Sequence, residues 1–214
     1  MNASIFKGLS EKDAAAIIGK LCREDMKKSN ILASVSAAQF ILESGYGKTE
    51  LAQNANNMFG MKADLSGNKW SGSSWDGKSI YTKKTLEEYE TGVYTPIIAA
   101  FRKYSCIEDS IADHSAYLLG AKCGNHLRYR GLACEKDYKK AIQIIKQGGY
   151  ATDSQYVSKI CNIIERFNLT QYDVTETKQV MYRVQVGAYN VKANAENMLK
   201  RIKAAGFDAF IKED

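Results

Sequence analysis

The spacing of apolar residues is helical over most of this chain and is interrupted by a long segment of a different kind. From Ala63 to Tyr94, glycines punctuate tryptophan, tyrosine and threonine, which is typical of a loop and a short β-hairpin. On both sides of this segment, isoleucine, leucine and alanine recur at helical spacing. The sequence therefore predicts a mainly α domain with a small β-hairpin lobe.

The helical part of the pattern predicts a series of separate helices. Ser10 and Asp13 resemble a capping box at the start of the first helix. The second helix begins near Ile31 and carries Glu43 at its C-terminal end. The remaining helices are predicted for the segments IEDSIADHSAYLLG, KDYKKAIQIIKQGG and SQYVSKICNIIERFN.

The last part of the chain differs from this helical domain. LTQYDVTETKQV is polar and threonine-rich, whereas the block after it reads as strand, helix and strand. We therefore expect a domain at 1–168, a linker at 169–180 and a short βαβ unit at 181–214. Two strands and one helix are too little sheet to bury both faces. This unit must lean on the domain, pair with another chain or be half of a longer module.

The composition argues against several classes of protein. No stretch of the 214 residues is long and apolar enough to predict a membrane span, and the N-terminus lacks the pattern of a secretory signal. Five cysteines, an odd number, argue against a disulfide framework and favour reduced thiols. The net charge of +6 favours an acidic partner without naming one. Basic residues do not cluster with aromatic ones, so we expect no nucleic-acid groove.

A glutamate closes the apolar run of the second predicted helix. A carboxyl group against apolar surroundings has a raised pKa and can hold a proton near neutral pH, as a general acid must. Gly45 and Gly47 follow Glu43 and permit a sharp turn, which would let Tyr46 and the Glu43 carboxylate face one cleft. The competing interpretation is an ordinary exposed glutamate at a helix end.

Two further sets of residues could serve a catalytic cleft. In TLEEYETG, strand alternation would point Glu88 and Glu90 to one face and Glu87 to the other, although a charged edge strand is the simpler interpretation. Flat aromatic side chains with polar handles suit a carbohydrate groove, and core packing is the alternative. The aromatic candidates are Phe59, Trp70, Trp75, Tyr81, Tyr104, Tyr150 and Tyr156.

The sequence gives less support for a metal site or for a reactive cysteine. Cys123 and His126 have a CxxH spacing with Cys134 nearby, but a fourth ligand is missing, so we predict no metal and no cofactor. Nothing in the sequence marks Cys106 or His114 as activated, and we expect His114 to pack rather than to catalyse.

Five segments in order and spacing resemble one family. AAQFILESGYGKTELA, NNMFGMK, EEYETG, AAFRKYSCIEDSIADHSAYL and GGYATDSQYVSKI resemble the glucosaminidase family of bacterial peptidoglycan hydrolases, glycoside hydrolase family 73, of the autolysin and flagellar muramidase type. The likeness covers most of residues 10–168. It implies a lysozyme-like domain that cleaves the glycan strand after N-acetylglucosamine, with peptidoglycan as the partner.

The resemblance also assigns roles to residues. It makes Glu43 the general acid and Glu88 the second carboxylate, with Glu87 and Glu90 still open. Glu88 would activate water, or the substrate's own N-acetyl group would attack with Tyr150 orienting it. Together with Tyr46 from the glycine turn, the predicted substrate-binding residues are Tyr46, Asn57, Phe59 and Tyr156.

The terminal block resembles the first half of a sporulation-related (SPOR) repeat, a type that binds septal peptidoglycan stripped of stem peptides. We expect a monomer that acts at the cell wall, either an endolysin of a phage or prophage or a trimmed autolysin. The alternatives are a lytic transglycosylase or muramidase on the same glycan, a wall-binding module without catalysis, and an amidase or peptidase.

Overall fold

Helices carry most of the fold, and two antiparallel strand pairs are added to them. The computed structural model describes residues 1–65, 68, 70–90, 93–174 and 184–212, without the side chains of 85–90, 93–97 and Cys134. The helices are α1 (Glu11–Ser29), α2 (Ala33–Ser44), α3 (Glu50–Ala55), α4 (Ile107–Gly120), α5 (Tyr138–Gln147), α6 (Tyr156–Arg166) and α7 (Lys192–Ala204). The strands are β1 (Ile80–Glu90), β2 (Val93–Arg102), β3 (Lys122–Cys123) and β4 (His126–Leu127).

The predicted helices of the first domain are confirmed, and α1 begins as its sequence indicates. The Ser10 hydroxyl oxygen accepts from the Asp13 backbone N–H at 3.1 Å, which satisfies a free donor of the first turn. The sequence pattern does not predict helix α3. Its six residues are too few to show a helical period, although Thr49 caps it by accepting from the Ala52 N–H.

The core is built around α2, which is buried on nearly every side. A helix that is apolar all round must be surrounded by other elements, and α1, α6 and α5 pack against it. The Phe40 ring meets Phe6 and Phe59 edge to face, with centroids 5.7 and 5.8 Å apart. Such contacts add to the free energy gained by burying the rings, so α2 is held firmly along its length.

The β lobe is confirmed and is longer than the predicted short hairpin. Strands β1 and β2 pair from Ile80 opposite Arg102 to Glu90 opposite Val93, and the register shifts between Glu88 and Glu90. The sequence prediction ends near Tyr94 because the apolar run IIAAF that follows does not alternate with polar residues. This run continues β2 down to the body of the domain.

A buried ion pair joins the base of the hairpin to α4. Arg102, at the end of β2, donates to the Asp113 carboxylate at 2.7 Å, and both side chains are almost fully buried. Asp113 also accepts from the Tyr104 hydroxyl at 2.6 Å, the Ser73 hydroxyl at 2.5 Å and the Trp70 indole N–H at 3.2 Å. A buried charge with this many partners is fully compensated.

The first unit ends later than the sequence suggests. The predicted linker starts at Leu169, but a 3-10 helix forms at Leu169–Tyr172 and Leu169 is completely buried. Asp173 then accepts from the Ser34 N–H in the first turn of α2 at 2.8 Å. The chain divides into the units Met1–Thr175 and Glu176–Asp214. Because Asp173 is far from α2 in the sequence, no local pattern predicts that it accepts from the first turn of that helix.

The second unit contains α7, as predicted, but not the predicted strands. Among its described residues, 184–191 and 205–212 form no strand. Val184 and Phe210 are 88% and 81% exposed. A strand is stable only when its N–H and C=O groups pair with a neighbour, and the described part of this unit offers none. Among all described helices, none is both long and apolar enough to cross a bilayer.

We predict that Asp113→Asn lowers the free energy of unfolding by roughly 3–5 kcal/mol, because the Arg102 guanidinium then stays buried without its counter-charge. Urea denaturation measures this value. Glu24→Gln, which removes an exposed pair with Lys27 on α1, is the matched control and should change the free energy of unfolding far less, because exposed ion pairs contribute little. Equal small losses in both variants would contradict the importance given to the buried pair.

Candidate active site

Glu43 lies at the C-terminal end of α2, directly before a left-handed turn. Gly45, Tyr46 and Gly47 all have positive φ, at 54°, 61° and 75°. The sharp turn expected from the two glycines is therefore confirmed. Gly47 is required for a second reason: a Cβ atom there would lie 2.3 Å from the Phe6 ring.

Ser44 fixes this turn from within. Its hydroxyl donates to the Phe40 carbonyl oxygen at 2.6 Å and accepts from the Gly47 N–H at 2.7 Å. These two bonds satisfy a carbonyl and an N–H group that the end of the helix would leave free. Glu43 is therefore presented from a rigid point of the fold.

The Glu43 carboxyl group is reachable by water and yet poorly hydrated. Its side chain is exposed by surface area, but burial among protein atoms raises the pKa of its carboxyl group. The two observations fit a carboxyl on the wall of a concave surface, where water touches one side and protein occupies the others. The charged form is disfavoured in such a place, as the sequence pattern predicts for a general acid.

Two tyrosines stand close to Glu43. The ring centroids of Tyr150 and Tyr156 are 6.0 Å apart. Burial raises the pKa of both phenols, and the negative charge of Glu43 raises each of them further. The structure thus brings together three of the predicted site residues, Glu43, Tyr150 and Tyr156.

Each of these phenols contacts a buried polar side chain. The Tyr156 hydroxyl accepts from the Gln39 amide at 2.8 Å, and the Tyr150 hydroxyl lies 3.0 Å from His114 Nε2. Sequence reasoning missed both partners. Gln39 carried a signal, because it lies four residues before Glu43 on the same helix face. His114 packs as expected, and its contact with Tyr150 across the fold has no local signal.

Phe59 and Asn57 support the site from inside the domain. The Phe59 ring stacks on His114 at 3.8 Å, nearly parallel, and is 5% exposed. The Asn57 amide donates to the carbonyl oxygens of Met61 and Arg102 at 2.9 and 2.8 Å and accepts from the Met61 N–H. Asn57 thus fastens the NNMFGMK loop to the end of β2. Direct contact with a sugar stays a prediction for both residues.

Tyr46 does not join Glu43 in the way that the sequence suggests. Its ring packs edge to face on Phe167 at 5.8 Å, and its pKa is raised by burial and by Glu11. Phe167 follows the last residue of α6, whereas Tyr156 is the first residue of that helix, roughly 15 Å away along its axis. The Tyr46 ring is thus engaged at the C-terminal end of α6. Sugar binding by Tyr46 stays a prediction.

The hairpin carboxylates cannot be placed in the same detail. The backbone of Glu88 pairs with Tyr94 just before the register shift. The side chains of Glu87, Glu88 and Glu90 lie outside the described residues, so the choice among them stays a prediction.

Three of the aromatic residues considered for a sugar groove pack against the buried ion pair. The Arg102 guanidinium carbon lies 4.4 Å from the Trp70 ring centroid and 4.7 Å from that of Trp75. Tyr104 is buried and donates to Asp113. A cation between two indole rings is stabilised by their electron-rich faces. Tyr81 donates to Glu50 at 2.7 Å and so links β1 to α3.

One described concavity lies away from Glu43. It has a volume of about 500 Å³ between α1 and the segment that follows α6, and Glu43 does not line it. Within the described residues, no group of three or more histidine, cysteine, aspartate or glutamate side chains could hold a metal ion. Cys123 and His126 pair across the exposed β3–β4 hairpin.

Two family models match parts of this chain. Residues 19–169 match the glucosaminidase family model, described as mannosyl-glycoprotein endo-beta-N-acetylglucosaminidase. A second model, the SPOR domain, matches residues 163–213. The chain therefore belongs to the glucosaminidase family of glycoside hydrolases, and its C-terminal part is SPOR-like.

Individual relatives agree with this assignment. The chain is 35% identical to exo-glucosaminidase LytG of Bacillus subtilis over 69% of its length, and 32% identical to the peptidoglycan hydrolase FlgJ of Pseudomonas aeruginosa over 71%. These matches span 48% and 35% of the two relatives. The chain thus corresponds to less than half of either curated protein.

Solved structures confirm the lysozyme-like fold. The catalytic domain of the autolysin Auto from Listeria monocytogenes superposes with a TM-score of 0.64 at 30% identity, over 79% of this chain and 94% of that one. A truncated glycoside hydrolase domain of FlgJ from Salmonella typhimurium gives 0.55 at 27% identity, over 74% and 98%. The mainly α architecture with a β lobe is therefore that of these hydrolase domains.

We predict that Glu43→Gln raises stability at neutral pH relative to wild type. The folded-state pKa of Glu43 is above its unfolded value, so ionisation of this group opposes folding once the pH exceeds the unfolded value. The gain should shrink as the pH falls, and vanish where the carboxyl is protonated in both states. Urea unfolding from acidic to neutral pH measures it.

Glu50→Gln is a control for which we expect the opposite change in stability at neutral pH. Hydrogen bonds from Tyr81 and Lys83 lower the Glu50 pKa, so this carboxylate stabilises the fold above its unfolded pKa and loses that effect as the pH falls. Its replacement should cost stability at neutral pH. A stability loss in Glu43→Gln at neutral pH would contradict a poorly hydrated carboxyl.

Proposed function

We propose that the Met1–Thr175 unit is an endo-β-N-acetylglucosaminidase that cleaves the glycan strands of peptidoglycan at the bacterial cell wall. The observation that carries this proposal is Glu43, a carboxyl with a raised pKa beside the phenols of Tyr150 and Tyr156. The names of the relatives, an exo-glucosaminidase and a peptidoglycan hydrolase, support the same class of substrate.

Glycoside hydrolysis begins with protonation of the leaving oxygen. In our proposal, the protonated Glu43 carboxyl gives its proton to the glycosidic oxygen as the bond from that oxygen to the anomeric carbon breaks. Positive charge then develops on the ring of the N-acetylglucosamine. In this proposal, the phenols of Tyr150 and Tyr156, whose pKa values the Glu43 charge raises, donate to the carboxylate left on Glu43 and make the proton transfer more favourable.

The second half of the reaction has two possible routes. Glu88 can act as the base that activates a water molecule, which attacks the anomeric carbon from the opposite face and inverts it. Alternatively, the N-acetyl carbonyl oxygen attacks first, and water opens the resulting ring with net retention. In that route, Tyr150 orients the acetamido group.

We predict that Glu43→Gln lowers the rate of peptidoglycan hydrolysis by roughly 10²–10⁴-fold, because the amide cannot donate a proton. Release of reducing ends from purified cell wall measures the rate. Glu165→Gln, on the exposed side of α6 where the carboxylate contacts Tyr138 and Lys139, is the matched control and should keep wild-type activity.

The same digests test the bond that is cleaved. After borohydride reduction, the new ends should be N-acetylglucosaminitol, and long internal fragments should appear early if cleavage is endo. New muramic acid ends, anhydro-muramic ends or full activity of Glu43→Gln would each contradict the proposal. Early release of single sugars or disaccharides would instead indicate the exo mode that the name of LytG suggests.

For the second carboxylate, we predict that Glu88→Gln loses more activity than Glu87→Gln or Glu90→Gln, because a base must be ionised to take a proton from water. Proton NMR of early products, before the anomers equilibrate, should then show inversion. Small and equal losses in the three variants together with a retained anomer would rule out Glu88 and favour attack by the N-acetyl group.

A further inference from the structure

His114 has an unusual environment for a histidine near a reaction site. It is completely buried, stacked face to face on Phe59 at 3.8 Å, and meets the Tyr150 ring edge to face at 5.6 Å. Nε2 lies 3.0 Å from the Tyr150 hydroxyl, whereas Nδ1 is buried and has no hydrogen-bond partner among the described residues. Tyr150 is therefore the hydrogen-bond contact of this ring.

We propose that His114 is a positioning residue, whose Nε2–H group donates to the Tyr150 hydroxyl oxygen and thereby directs the phenol proton toward the Glu43 side of the site. This inference rests on the proposed function, in which Glu43 and Tyr150 share one reaction site. In this scheme His114 acts only through Tyr150 and touches no atom of the substrate.

The position of the ring proton follows from the two possible tautomers. Burial lowers the pKa of His114 to about 3, so the ring is neutral and carries one proton. If that proton were on Nδ1, a buried N–H would have no acceptor, and orphaned buried N–H groups are rare. With the proton on Nε2, the N–H donates to the Tyr150 hydroxyl oxygen. The unpartnered Nδ1 then carries only a lone pair.

Once Glu43 has given up its proton, its charge, which also raises the Tyr150 pKa, favours the same arrangement. If Tyr150 donated to His114, its oxygen lone pairs would be left to face the nearby carboxylate, which is repulsive. When Nε2–H occupies one of these lone pairs, the phenol proton is free to point toward an acceptor oxygen in the site. That acceptor is the Glu43 carboxylate or the acetamido oxygen of a bound sugar.

A similar arrangement at the second phenol supports this interpretation. The Gln39 side chain is 1% exposed, and its amide N–H donates to the Tyr156 hydroxyl at 2.8 Å. Its carbonyl oxygen has no partner among the described residues. Turning the amide around would instead leave an NH₂ group unpaired. Both phenols thus receive a hydrogen bond from the buried side, and both keep their own proton for the site.

The direction of the imidazole is fixed by its surroundings. Phe59 covers one face of the ring, and Tyr150 meets it edge to face. The preceding residue, Asp113, is held by the ion pair with Arg102, so α4 cannot rotate here without breaking it. The donor is therefore aligned before any substrate binds.

The first test reads the tautomer directly in the 214-residue chain. Long-range ¹H–¹⁵N correlation spectra distinguish Nε2–H from Nδ1–H imidazole, and the chain has two histidines, His114 and the exposed His126. We expect the buried histidine to be the Nε2–H form and to change its ring shifts in Tyr150→Phe. An Nδ1–H tautomer would overturn the proposal, whether or not the protein cleaves glycan.

The second test uses two amides of different reach. The change His114→Gln places an amide N–H near the former Nε2 position, whereas the shorter side chain of His114→Asn cannot reach Tyr150. We expect His114→Asn and Tyr150→Phe each to lower kcat about tenfold with little change in KM, since each loses one neutral hydrogen bond. His114→Gln should recover most of that loss.

Combining the changes separates positioning from packing. The double variant His114→Asn with Tyr150→Phe should be no slower than either single variant, because the two changes remove the same bond. Multiplied losses, or equal damage in His114→Gln and His114→Asn, would show that the histidine only packs. Thermal unfolding of each variant confirms that it is folded, and absence of glycan cleavage in the wild type would count against the proposed function while leaving the tautomer result valid.

Discussion

The Arg102–Asp113 ion pair fixes the position of α4, and the contact of His114 with Tyr150 depends on that helix. Polar residues of α4 next to Asp113 reach three other parts of the domain. The Ser110 hydroxyl accepts from the Met58 N–H at 3.0 Å, His114 meets Tyr150 at 3.0 Å, and Ser115 donates to Asp25 at 2.6 Å. Buried polar networks of this kind specify one arrangement when their members are satisfied. Helix α4 therefore transmits the position of the hairpin base to the phenol beside Glu43.

The apolar core and the site place opposite demands on stability. Around Phe40, aromatic rings pack edge to face and the helices bury their apolar sides. At the end of the same helix, Glu43 is held where its charge is poorly hydrated, and the glycine turn adopts conformations that most residues resist. Sites that must react are commonly less stable than the sequence could make them. Here the cost falls on a few residues at the end of α2. The free energy gained by packing the rest of the helix offsets it.

Much of the fold follows from periodicity in the sequence, because each long helix has an apolar stripe and the lobe has glycine and threonine where helices avoid them. The site was predictable as far as Glu43 and its turn, since both lie within one continuous segment. The contacts that position the site residues could not be predicted. Tyr46 shares the turn with Glu43 but packs on Phe167, and the Trp70 and Trp75 rings both pack on Arg102. These outcomes depend on residues far apart in the chain, which a local pattern does not record.

The location of Glu43 at the last turn of α2 has a consequence for its proton. Peptide dipoles along a helix add up to a partial negative charge at its C-terminal end, and an anion placed there is destabilised. The left-handed residues after Ser44 end the helix at this point, so the carboxyl sits beside the negative pole of the peptide array. Its tendency to keep a proton thus has a source in the backbone itself, which substitution of the neighbouring side chains would leave in place.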